Sequence, residues 1–284
     1  MYGIDFDPDF LELLSESNFP VASGAIFFSY MKGWPITFAL AYAKHQLFLQ
    51  DIEEIEEEDR PRGECLDYEK LDIDQGTILS LLDLTDINLR NDQLIDADFS
   101  GCDLTCSDLS FSRLYDSNLK EVCAVRINLI HVEAGNAIFE NGNLSNAQLE
   151  SAFLAGANLK KAYLRSAKME RSDLEEANLE GADLEEAYLR NAKLQGANLK
   201  CANLKGAYLK CADFKGANLQ GANFEGTDLD GANFEGANLQ DANFKGADLD
   251  GANFLSSNVE DGSFGEAKCR DKAQMDNAQK LSTM

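Results

Sequence analysis

The chain of 284 residues is poor in the residues that usually carry chemistry. It has two histidines, one tryptophan and four prolines, and 25 Lys and Arg against 50 Asp and Glu. His45 and His131 stand in different regions, and no GxSxG, phosphate-loop or HExxH spacing occurs. No catalytic set, cofactor site or metal site is expected. The seven cysteines are an odd number with no CxxC spacing, which argues against a disulfide framework or a zinc site and fits a reducing compartment. A formal charge of −25 would repel phosphates, so direct nucleic-acid binding is not expected. Long apolar runs are lacking too. The most apolar stretch, 19–50, is broken by Lys32, Gly33, Pro35, Lys44 and His45, short of what a membrane span requires. Met1 to Asp9 carries acids where a secretory signal carries bases, so a cytoplasmic protein is expected.

What the chain has is a repeat. Every fifth residue from Leu84 to Phe264 is apolar, through Leu89, Leu94, Phe99, Leu149, Leu199 and Leu249, which gives 180/5 + 1 = 37 repeats in one register. The residue two before each centre is small. From Ala147 to Ala252 only Ser172 and Thr227 depart from Ala among 22 such positions. The residue before the centre is often Asn or Asp, and the residue two after it is often Gly, as at Gly206, Gly216 and Gly221.

A helix repeats at 3.6 and a strand at 2, so neither explains five. A square coil does, with one repeat per side and four per turn. The centre and the small residue then point inward and the other three face solvent. Gly falls where a type II turn needs positive φ, and Asn or Asp suits the adjoining corner. Residues 20 apart should stack. Phe214, Phe234 and Phe254 form one column, and Phe224, Phe244 and Phe264 form another on the opposite side. Asn158, Asn178, Asn198, Asn218, Asn238 and Asn258 form a third column, able to hydrogen-bond along the axis.

The motif A(D/N)LXX resembles the pentapeptide-repeat family over about two-thirds of the chain. The resemblance implies an all-β solenoid, a right-handed quadrilateral β-helix, here with a small helical N-terminal segment. Three regions are expected: 1–76, 77–270 and a tail, 271–284. In the first, Asp7-Pro8 opens a short helix. Pro35 opens a stronger one with an apolar stripe of Phe38, Ala41, His45, Phe48, Ile52 and Ile55. That segment either caps the first coil or offers a partner or dimer face. Asp51 to Asp59 holds seven acids in nine residues, and Arg60 to Gly63 reads as a linker. In the early repeats, Val122, Ile127 and Val132 stand where Ala is usual and Ala124 and Ala134 where Leu is usual, which predicts a bent or irregular coil.

Charge along the rod is banded. Lys160, Lys161, Arg165, Lys168 and Arg171 precede seven acids between Asp173 and Glu186, and Arg190, Lys193, Lys200, Lys205, Lys210 and Lys215 follow. Asp228, Asp230, Asp248 and Asp250 could suit a hard cation, but Lys210 and Lys268 bracket them, so a solvated, paired face is the expectation. Tyr188, Arg190, Tyr208 and Lys210 combine charge, aromatic area and fixed spacing and are the candidate partner contact. The leading reading is a non-enzymatic, bacterial protein-interaction scaffold for an unidentified protein partner. The alternative is a DNA-mimicking polyanion, since the resemblance extends to family members that occupy the DNA site of gyrase. Those dimerise through the C-terminal end, so the resemblance also implies a possible homodimer through an end of the rod.

Overall fold

The computed structural model describes residues 84–269. The helices read within 1–76, His45, the acidic run, the linker and the tail 271–284 lie outside the described residues.

The described chain is a right-handed, four-sided β-helix with 20 residues per turn. Its 186 residues (269 − 84 + 1) make about nine turns, a rod on the order of 45 Å long at roughly 4.8 Å per turn. Parallel bridges join residue i to i+20 without interruption, from Asn88↔Asp108 to Asp248↔Lys268. We call the sides face I (centres 84, 104 and onward by 20), face II (from 89), face III (from 94) and face IV (from 99).

Five backbone N–H groups per repeat must find acceptors, and one repeat shows where they go. Leu89 donates to Asp108 O and Asn91 to Ser110 O in the next turn, while Asp108 donates back to Ile87 O. Asp92 closes the corner by donating to Leu89 O, three residues back. The fifth, from Arg90, goes to Asn88 Oδ1. The same side-chain bond recurs at Asp103, Asp173, Asn198, Asn223 and Asn253. Asn and Asp before the centre thus serve a donor that the square coil leaves without a backbone acceptor.

The residue two after the centre has positive φ in all 37 repeats, and 25 of these are not glycine. With the bond spanning three residues, each corner is a type II turn. The centres are buried along the shaft except Phe254 near its end, and the small residues beside them are buried from Ala97 to Ser257. Ser107, Ser172 and Thr227 replace alanine by turning the hydroxyl onto a carbonyl inside the coil, at 2.7, 2.7 and 2.8 Å.

The Phe columns stack as expected. Phe214–Phe234 and Phe224–Phe244 have centroids 5.1 and 4.8 Å apart, and Phe214 meets Phe224 edge-on at 6.0 Å. The face IV asparagines form an amide ladder from Asn178→Asn158 (3.4 Å) to Asn258→Asn238 (3.1 Å). A second ladder rises on face I through Asp183, Asn203, Asn223 and Asn243, and a third on face III through Asp213, Asn233 and Asn253. The bend expected around 122–134 is absent. Bridges Cys123↔Asn143 and Asn128↔Gln148 continue the ladder, and Val122, Ala124, Ile127, Val132 and Ala134 are all buried. The exchange of large and small residues conserves volume, so the backbone has no reason to yield. Lys268 pairs with Asp248 and carries the coil to residue 269, as read from the repeat.

Leu199 is fully buried in the axis. Leu199→Asp should therefore cost several kcal/mol and lower the denaturation midpoint sharply; an unchanged midpoint would contradict this packing. At Gly216 a Cβ would meet nothing within 4 Å, but φ is +68°. Gly216→Ala should then cost only the left-handed backbone term, about 1 kcal/mol, and Gly216→Asn less, measured by chemical denaturation.

Candidate functional site

Side chains on neighbouring turns lie directly above one another, and this resolves the charge bands. Lys160 meets Glu180 at 3.2 Å, Arg165 meets Glu185 at 3.2 Å, Lys205 meets Glu225 at 3.2 Å and Lys215 meets Glu235 at 3.0 Å. Each pair is 20 residues apart, so a basic band followed one turn later by an acidic band pairs vertically. These pairs are solvated and each contributes about 0–1 kcal/mol. Lys193 bonds Asp173 at 3.0 Å, and that hydrogen bond raises its pKa above the usual lysine value. Asp230 does the same for Lys210.

Face II differs from face IV and from the upper turns of faces I and III. Above residue 128, no amide ladder forms there, because the position before the centre holds Gln148, Lys168, Tyr188, Tyr208, Asp228 and Asp248. A tyrosine cannot accept the N–H two residues on as Asn does. Tyr188 and Tyr208 instead stack outside the coil, with centroids 4.7 Å apart and planes within 10°. They are 39% and 47% exposed, which leaves a flat aromatic surface facing solvent.

Beside the pair lies an open depression of about 390 Å³ lined by Glu150, Ser151, Glu170, Arg171, Arg190 and Asn191. Arg190 and Arg171 are exposed and make no ion pair with a described residue. One carboxylate oxygen each of Glu150 and Glu170 is shut from solvent without a hydrogen-bond donor. The four residues expected to form the contact therefore divide. Tyr188 and Tyr208 stack, Arg190 opens onto the depression, and Lys210 turns away to Asp230. Arg171 enters the sequence reading only as part of a basic band, and Glu150 and Glu170 are not among its candidate contacts. Column arithmetic places them one or two turns below Arg190 and Asn191 and was enough to find them.

The aspartate quartet does not converge. Lys210 takes Asp230, while Asp228 and Asp248 each accept the N–H of their own second neighbour, Asp230 and Asp250, at 3.2 Å. Among the described residues no group of three or more carboxylates, imidazoles or thiols could hold a metal ion. Cys201 and Cys211 are exposed on opposite corners, and burial pushes the Cys106 thiol up. No helix among the described residues is long and apolar enough to cross a membrane.

Among solved structures, the chain is similar to HetL, a pentapeptide repeat protein involved in heterocyst differentiation regulation from the cyanobacterium Nostoc. The two are 29% identical over 67% of this chain and 90% of HetL, with TM-score 0.42. QnrB1, a plasmid-mediated fluoroquinolone resistance protein, is 22% identical over 73% of this chain and 93% of its own, also with TM-score 0.42. A pentapeptide repeat protein of the Arabidopsis thaliana thylakoid lumen is 33% identical over 34% of this chain and 67% of its own, with TM-score 0.33. No curated protein matches the chain. A family profile described as pentapeptide repeats matches in eight copies, over residues 76–123, 143–181, 182–221 and 217–254. These ranges cover more than half the sequence, and the chain belongs to the pentapeptide-repeat family.

Proposed function

We propose that the rod is a non-enzymatic scaffold for protein–protein interaction, and that face II between residues 150 and 210 receives an acidic surface of its partner. One observation carries this reading. In the turns between residues 150 and 210, face IV is zipped by its amide ladder, face I by the Asn203–Asp183 bond and face III by the Lys193–Asp173 pair, whereas face II carries two stacked, solvent-facing tyrosines beside two arginines that make no ion pair with a described residue. Aromatic residues and arginine supply a disproportionate share of interface energy, and a stacked pair presents its area at little entropic cost. A regular shaft offers no deep cleft, so recognition has to come from such a surface.

Polyanion mimicry is the second reading, favoured by the turns beyond Glu235. There Asp241, Asp248, Asp250, Glu260, Asp261 and Glu266 meet only Lys245 and Lys268 among the described bases. Below Glu235 the vertical pairing cancels charge and interrupts such a track. Purified protein added to a DNA gyrase supercoiling assay separates the two readings, and inhibition would favour mimicry.

Changing Tyr188, Arg190, Tyr208 and Lys210 together to Ser removes outward groups only and should leave the melting curve close to native. Partner capture from the native cell should then fall at least tenfold, with Arg190 supplying most of the salt dependence. Capture by the folded variant at the native level would move the contact away from face II.

A further inference from the structure

A second unusual surface lies on the early turns, at the corner between faces II and III. Phe111 and His131 occupy successive corner positions with φ of 60° and 55°, and their rings approach to 5.1 Å. The Arg90 guanidinium sits 5.0 Å from the Phe111 ring centroid. Around the corner, Tyr115 and Phe153 stand two turns apart yet meet at 6.1 Å. They close over Gly135 of the turn between them, where a Cβ would come within 2.9 Å of Phe153 Cε1 and 3.1 Å of Tyr115 Cε1. Gly135 is buried, while Phe111 and Phe153 remain 44% and 38% exposed.

The fold does not ask for this cluster. A bulky side chain at positive φ is strained, and elsewhere the corner position is commonly Gly, Asn or Asp. Exposed aromatic area stabilises nothing until something covers it. Strain, exposure and a glycine kept small beneath two rings all coincide within four turns.

We propose that this corner is the docking site for the chain's own segment Pro35–Ile55. The residues from 56 to 83 (83 − 56 + 1 = 28) join that segment to the first described turn, a reach of roughly 95 Å when extended. The cluster lies within about 15 Å of that turn along the axis, given a rise of roughly 4.8 Å per turn. A tether of this length holds the segment at an effective concentration far above that of a separate chain. The chemistry matches as well. Phe38, Ala41, His45, Phe48, Ile52 and Ile55 form a stripe that must be covered. The acids of Asp51–Asp59 follow it directly in sequence, and Arg90, over the Phe111 ring and without an ion pair to a described residue, supplies a charge complementary to them. Nothing in this docking uses the tyrosines of face II, so it stands apart from the proposed partner contact.

The full chain supplies the test. Phe111→Asn combined with Phe153→Ser removes the rings; asparagine tolerates the corner φ and Phe153 points outward, so the rod should keep its melting midpoint. By hydrogen–deuterium exchange, amides of residues 36–55 should exchange at least tenfold faster in this variant than in the native chain. Emission of the sole tryptophan, Trp34, should shift to the red. Arg90→Glu, which leaves every ring in place, should accelerate exchange of the same residues to a smaller, salt-dependent extent. Equal exchange of that segment in the native chain and both variants overturns the assignment. Protection that tracks a concentration-dependent dimer overturns it too, because a second copy would then fill the corner.

Discussion

A backbone that turns a right angle every five residues must still satisfy five N–H groups per side, and the rest of the structure depends on how it does so. Three go to neighbouring turns, one closes the corner, and one is left to a side chain. The corner then requires a left-handed residue, which 25 of 37 repeats supply without glycine. Each such residue costs about 1 kcal/mol against glycine. It persists because the i+20 bridges above and below hold the corner in place. The inward position beside each corner faces the crowded axis, so it is small nearly everywhere, and a hydroxyl is admitted only where it can reach a carbonyl, as at Ser172 and Thr227.

Because the backbone is nearly the same in every turn, individuality is confined to three outward positions per repeat, and their neighbours are fixed at a separation of 20. Asn158 to Asn258 join by amide bonds, lysines stand over glutamates, and phenylalanines stack inside. Vertical pairing also explains how a chain of net charge −25 carries bands of lysine without a continuous acidic track below Glu235. Such pairs contribute little singly, but they occupy groups that would otherwise be free to bind.

Departures from this economy are the informative places. Tyr188 and Tyr208 abandon the ladder on face II, Lys210 is drawn off to Asp230, and Phe111 occupies a corner that suits a small residue. None of these choices follows from the needs of the coil, and the tyrosines and Phe111 leave aromatic surface in solvent. A solenoid built on nearest-neighbour contacts tolerates such local exceptions, since each turn answers only to the turns beside it.

The four-sided coil, its register and its interior are legible in the chain alone. A period of five in unbroken phase admits one side per repeat, and columns at 20 residues placed the phenylalanines, the face IV asparagines and the stacked Tyr188 and Tyr208 correctly. It misled at 122–134, because a one-dimensional pattern shows that Val122 and Ala124 have exchanged sizes but not that the volume they share is conserved. Which outward groups are engaged emerges only in the folded rod. Lys210 and Arg190 occupy equivalent positions in adjacent turns and each has a carboxylate 20 residues away, yet Lys210 pairs with Asp230 above it while Arg190 makes no ion pair with Glu170 below it. The meeting of Tyr115 with Phe153 depended on the same geometry. Their separation of 38 residues is no column spacing, and contact required both rings to lean across a turn that Gly135 left bare.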